Sequence, residues 1–232
     1  MFVRITLKNF VAFLLFALLM GESHEIAHFL VGKVVCGCWP ETRDFNAWTL
    51  CASCEEGNPY EYLPTAAGPL FSMTLAWVGM FLLWSPVGTR QSLGLVLTWA
   101  NVPQARLMTV LMEGGDEYVV TRSLAEGTTL DPWWLAVVWV AIMTVPPMIS
   151  SFFRIKNRSG WAYSVGFMIF PLLVLSLYGF GLLNTLLERG FLAQIWIMGT
   201  PLFITLHTLA VLVVLLVWFR KDLFTFSTQP VS

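Results

Sequence analysis

Apolar segments of about twenty residues or more recur six times along this chain, and no other feature constrains its fold as much. An α-helix needs roughly 20 apolar residues to cross the ~30 Å hydrocarbon core of a bilayer. The segments run from about Phe10 to Val35, Tyr62 to Trp84, Ser92 to Met112, Pro132 to Phe153, Ala162 to Leu187 and Ile195 to Phe219. The expected fold is therefore an all-α polytopic membrane protein of about six transmembrane helices, because backbone polar groups in lipid must be satisfied within the helix itself. Composition agrees, with 57% of residues hydrophobic and 12% charged, about half the charged share of soluble domains. No connection between segments is long enough for a soluble domain. Residues 1–232 are thus read as a single membrane domain: a core over about 10–120, additional helices over about 132–219 and a short soluble tail over 222–232. A net charge of −1 without a large basic cluster excludes a nucleic-acid partner held by charge. The first segment has no A-x-A-like cleavage site and is expected to stay as a span.

Ionisable groups inside such spans are costly and mark function. The first span carries three within five residues, His24-Glu25-Ile26-Ala27-His28. Positions i and i+4 share one helix face, so both imidazoles can ligate one metal ion, with Glu25 placed to take a proton from water there. The chain has only three histidines, which makes two at this spacing around a glutamate a specific signal. The pattern points to one catalytic zinc ion in a lipid-embedded hydrolase. The remaining histidine, His207 in the sixth segment, is read as a packed or hydrogen-bonded core residue.

A catalytic zinc site takes three protein ligands and leaves the fourth position open. The acidic run Met112-Glu113-Gly114-Gly115-Asp116-Glu117 closes the third segment. Segments one and three cross in the same direction, so this run ends on the same side as His28. Its two glycines let the backbone turn a carboxylate back into the bundle. Among Glu113, Asp116 and Glu117 the expected ligand is Asp116, whose short side chain directly follows the Gly-Gly turn. Arg106, inside the third segment, needs an acidic partner, for which Glu22 and Glu113 are the candidates.

All four cysteines lie in the one long polar connection, Gly32 to Glu61, as Cys36-Gly-Cys38 and Cys51-Ala-Ser-Cys54. The spacing suits a structural Cys₄ zinc, two disulfides tying a hairpin, or four free thiols. Val34-Val35 and Trp48-Thr49-Leu50 have β character, so one or two short strands are expected in this loop.

Together these residues resemble the site-2 proteases, the intramembrane zinc metalloproteases. The His24-to-His28 motif falls on the first core helix. Ala67-Gly68-Pro69 opens the next, where that family often has A-G-P-x-x-N, and Gly114-Gly115-Asp116 closes the third, where the family supplies its aspartate ligand. The likeness covers about residues 10 to 120. Ser72 stands in place of the family's asparagine, Asn101-Val102-Pro103 is spaced differently, the glycines precede Asp116, and there is no room for a PDZ domain. The resemblance implies a divergent or minimal member in which His24, His28 and Asp116 hold zinc and Glu25 is the general base. The implied substrate is a membrane protein cleaved within or near a transmembrane segment. Asn101, Gly68 and Pro69 would bind the unwound substrate strand, with Asn101 or a backbone donor near Gly68 facing the oxyanion. The rival readings are a non-hydrolytic membrane metal-binding protein and an inactive protease-like scaffold or regulator.

With the N-terminus inside, cytoplasmic segments hold Arg4, Lys8, Arg90, Arg154, Lys156, Arg158, Arg220 and Lys221, against Lys33, Arg43, Arg122 and Arg189 opposite. Positive charge concentrates on cytoplasmic segments. The N-terminus is therefore expected in the cytoplasm, with the motif and the cysteine loop toward the far side. Members of the resembled family usually keep the zinc nearer the cytoplasm.

Overall fold

The computed structural model describes residues 1–55 and 58–228. Helices dominate: α1 (Leu7–Cys36), the single turn α2 (Ala52–Glu55), α3 (Tyr62–Leu83), α4 (Gly88–Ala100), α5 (Pro103–Leu111), α6 (Asp116–Ala125), α7 (Pro132–Arg154), α8 (Gly160–Glu188) and α9 (Leu202–Phe219). Among the described residues, five helices are long and apolar enough to cross a membrane: α1, α3, α7, α8 and α9.

α1 begins at a reciprocal cap. Thr6 Oγ1 accepts from the Asn9 backbone N–H at 3.2 Å, and Asn9 Oδ1 accepts from the Thr6 N–H at 2.8 Å. It ends where Gly37, at φ +76°, turns its N–H back to the Lys33 carbonyl. Its 30 residues rise about 45 Å at the usual ~1.5 Å per residue. Pro146 and Pro147 lie inside the continuous helix α7.

The third expected span is two helices. Val102 sits in the left-handed region at φ 45°, which a β-branched residue rarely adopts. Pro103 then brings no N–H to continue the ladder of α4. The break re-aims everything after it, Arg106 included.

The strands also fall elsewhere than expected. Val34 and Val35 finish α1, and within the described part of the cysteine loop the only pairing is a lone antiparallel bridge, Arg43 to Trp48. A tight turn explains this: Asp44 Oδ1 accepts from the backbone N–H groups of Asn46 and Ala47, each at 2.7 Å. The strands that form are β1 (Phe2–Val3), β2 (Ile195–Ile197), β3 (Thr200–Pro201) and β4 (Ser227–Thr228), pairing antiparallel as β1 with β4 and β2 with β3. Residues 195–201 are therefore a small hairpin, and the last long helix starts at Leu202.

The expected soluble tail is packed instead. Phe226 is fully buried, its ring 5.3 Å from that of Phe167 and 6.5 Å from that of Phe13. The Ser227 N–H donates to Ser92 Oγ at 2.7 Å. Burying one phenylalanine is worth about 2 kcal/mol, enough to hold so short a segment. Residues 229–232 of that tail lie outside the described residues.

Two apolar clusters organise the bundle. One joins Phe13 and Ala17 of α1, Trp99 of α4, Phe167 of α8 and Phe226; the other joins Met73 of α3, Val110 of α5 and Ala136 and Val140 of α7. Of the three readings for the cysteines, the structure has two disulfides. Cys36 bonds Cys54 and Cys38 bonds Cys51, with Cα separations of 5.0 and 6.5 Å, both in the usual range. They tie the loop to the end of α1.

Candidate metal centre

Helical spacing stacks His24 and His28 on one face of α1, where both are buried and their Nε2 atoms lie 3.0 Å apart. Each ring is aimed by its other nitrogen. His28 Nδ1 donates to the Pro64 carbonyl at 2.7 Å, and His24 Nδ1 is 3.0 Å from Ser72 Oγ. Both partners belong to α3. The Pro64 carbonyl fixes the tautomer that leaves the His28 Nε2 lone pair free to bind a metal, and the Ser72 hydroxyl can accept from His24 Nδ1 in the same tautomer. Ser72, a departure from the resembled family in sequence, thus has a defined place beside the first histidine.

α3 reaches the rings because residue 68 is glycine. A Cβ there would lie 2.6 Å from His24 Cε1 and from His28 Cε1, and nearer still to His28 Nε2. At Gly68 the α3 backbone is therefore pressed on the imidazoles. Pro69 has no N–H for the helix ladder and is buried beside it.

The third group arrives from the other side of the break. Gly115, at φ +82°, has no room for a Cβ: one would meet Thr109 Oγ1 at 2.8 Å. The turn there starts α6 with Asp116, whose Oδ2 lies 3.2 Å from His24 Nε2 and 3.4 Å from His28 Nε2. Glu25 is also buried, with a carboxylate oxygen within 4.8 Å of the histidine nitrogens. Its Oε2 has no hydrogen-bond partner among the described residues. Asp116 is the closer of the two carboxylates to both rings, so it suits a ligand and leaves Glu25 beside the site. Of the other carboxylates weighed from sequence, Glu113 is exposed at φ 58°, and Glu117 is fully buried.

Arg106 finds partners that sequence reasoning missed. Its Nη1 donates to Asp116 Oδ2 at 3.2 Å, and its Nε faces Glu117 Oε1 at 3.6 Å. Neither expected partner serves: Glu22 pairs with Arg43 at 2.6 Å, and Glu113 points to the surface. Arg106 Nη2 lies 3.0 Å from His24 Nδ1 and 2.9 Å from Nε2. An atom so nearly equidistant from both nitrogens cannot lie in the ring plane without striking Cε1, so the guanidinium rests over the ring face. Burial alone would raise the Asp116 carboxyl, but the two imidazoles beside it and the charge of Arg106 hold it well below the usual carboxylate range. Glu117 is pushed up by burial, against the pull of Arg106.

His24, Glu25, Arg106 and Asp116 line a cavity of about 400 Å³, together with Phe45, Trp48, Val102, Leu172, Leu175 and Phe180. The disulfide-tied loop forms one wall. The Trp48 ring packs 5.0 Å from that of His28, and Arg43 reaches Thr200 at 2.8 Å as well as Glu22. Phe45 and Trp48, two of the loop's aromatic residues, carry this inward course. Asn101 does not join the site: its Nδ2 donates to the Leu97 carbonyl at 2.7 Å. His207 bonds the Tyr178 hydroxyl at 3.0 Å, apart from the cluster.

The donor set fits a divalent cation. Ligand atoms bound tetrahedrally at ~2.0–2.2 Å stand about 3.4 Å apart, and the three here are separated by 3.0, 3.2 and 3.4 Å. Two buried acidic side chains, Glu25 and Glu117, and the half-buried Asp116 lie around one guanidinium, Arg106, a surplus of acidic groups that suits a bound cation. Two imidazoles and one carboxylate are a known zinc set. Replacing Ser72 with alanine removes the group that aims His24. Metal affinity should then fall about 10–100-fold, read by competition with a chromophoric chelator.

Comparison with protein-family models, curated proteins and solved structures gives no match for this chain.

Proposed function

We propose that the protein is an intramembrane zinc metalloprotease that cleaves membrane proteins within or near a transmembrane segment. One observation carries this reading: His24, His28 and Asp116 converge three ligand atoms within 3.4 Å of one another, beside the unpartnered carboxylate oxygen of Glu25. A metal-binding protein has no need of that extra buried carboxylate; a hydrolase does. The likeness of this site to the site-2 proteases points the same way.

Bilayer placement is supported by five long apolar helices and by tryptophans at both ends of the bundle. Trp84, Trp161 and Trp218 are exposed at the end carrying the N-terminus, and Trp134 and Trp196 at the other, as interfacial belts require. The Lys and Arg residues concentrate at the N-terminal end, while the disulfides lie at the opposite end. Both facts support a cytoplasmic N-terminus and a cysteine loop in an oxidising compartment.

In this reading His24, His28 and Asp116 hold the metal, which supplies Lewis-acid polarisation of the peptide carbonyl and activation of water near neutral pH. Glu25 takes the proton from the attacking water and gives it to the leaving amine. Ser72 and the Pro64 carbonyl keep the imidazoles aimed, and Gly68 lets α3 seal one side. The apolar wall of Phe45, Trp48, Leu172 and Leu175 receives side chains of an unwound substrate segment.

The test is cleavage of a panel of transmembrane reporter peptides by detergent-purified protein, with and without a zinc chelator. The reading requires cleavage that the chelator stops and added zinc restores. Chelator-resistant cleavage would refute it.

A further inference from the structure

We propose that Arg106 is a catalytic residue that stabilises the oxyanion formed from the scissile carbonyl, an inference that rests on the hydrolase reading above. Asn101, the residue that sequence suggests for this task, turns back on its own helix. Arg106 is the only Lys or Arg lining the metal-site cavity among the described residues. Its three donor groups have different neighbours. Nε faces Glu117 Oε1, Nη1 bonds Asp116 Oδ2, and Nη2 lies over the His24 ring with no hydrogen bond to any described carboxylate.

That leaves Nη2 as a charged donor with spare capacity, poised beside a ligand atom of the proposed metal. Glu117 has a task in this arrangement that the ligand set does not give it. Fully buried, with neither oxygen hydrogen-bonded among the described residues, it anchors the guanidinium by charge at Nε and leaves Nη2 unpaired with any described carboxylate. The left-handed turn at Val102 is what rotates α5 so that Arg106 enters the cavity at all. In the reaction, water oxygen bonds the carbonyl carbon, the C=O π pair moves onto oxygen, and its proton goes to Glu25. The charge on that oxygen then falls within the field of Arg106. Collapse returns the pair, breaks the C–N bond and sends the proton to the amine. Fixed donors aimed at such an oxyanion are worth about 10²–10³ in rate.

The test uses the reporter peptide that the parent cleaves fastest and a phosphinate isostere of its cleaved bond. Arg106→Gln and Arg106→Lys are compared with the parent for kcat, KM, phosphinate inhibition and zinc affinity. The inference predicts that kcat falls about 10²–10³-fold in Arg106→Gln, less in Arg106→Lys, with KM and zinc affinity within about threefold. Phosphinate binding should weaken in step with kcat/KM. Zinc affinity falling in parallel with activity in both variants would overturn it, making Arg106 a support for Asp116; so would unchanged kcat. Failure of the hydrolase reading shows differently: the parent then cleaves no reporter, or no better than Glu25→Gln, and the inference falls with it.

Discussion

Glu25→Gln should abolish peptide cleavage, by a factor of about 10³ or more, while leaving metal content at the parental level. Glutamine keeps the size of the side chain but cannot accept a proton at neutral pH. Removing a general base costs about 10²–10⁴ in rate, and the upper part of that range applies where no second base stands nearby. Glu117 is no substitute, being paired with Arg106 and outside the lining of the cavity. The metal should stay because Asp116 Oδ2, at 3.2 and 3.4 Å from the two Nε2 atoms, completes the ligand set without Glu25. Measuring metal per chain beside the cleavage rate separates the roles. If Glu25→Gln loses the metal while Asp116→Asn retains it, the two carboxylates have been assigned the wrong way round.

Gly68→Ala should lower metal affinity at least about 100-fold, more than loss of an outer-shell partner such as Ser72 usually costs. The added methyl would stand 2.6 Å from Cε1 of both imidazoles, well inside van der Waals contact. Either α3 withdraws from α1 or the rings rotate. Both outcomes break the bonds from His24 to Ser72 and from His28 to the Pro64 carbonyl. Gly32→Ala is the control: one turn beyond His28, its Cβ would meet only Pro64 Cβ at an ordinary 3.8 Å. Chelator competition reads both variants. Parental affinity in Gly68→Ala would show that α3 does not press on the imidazoles.

What the sequence disclosed follows from the range of each interaction. The stacking of His24 and His28 beside Glu25 was legible because a single helix sets it, and the approach of Asp116 to them was expected from the direction of two segments plus a Gly-Gly turn. The Arg106 partnership was hidden because it depends on the rotation of α5, fixed by one left-handed residue, Val102. The packed tail was missed for a related reason. Ser227 is held by Ser92, 135 residues away, and Phe226 by Phe13 and Phe167, distant positions on two other helices. In the cysteine loop, strand propensity at Trp48 was overridden by the Asp44 turn and by burial of the Trp48 ring against His28. Pairing of the four cysteines likewise needed three-dimensional proximity, since their spacing admits several states.

On the proposed reading, His24, His28 and Asp116 form a zinc site. Its most direct test is the metal content of the detergent-purified parent after exposure to zinc and removal of excess, measured by elemental analysis beside His28→Ala and Asp116→Ala. The account predicts one zinc per parental chain and little in either variant. A folded, monodisperse parent that retains no zinc, or variants that retain as much as the parent, would contradict it.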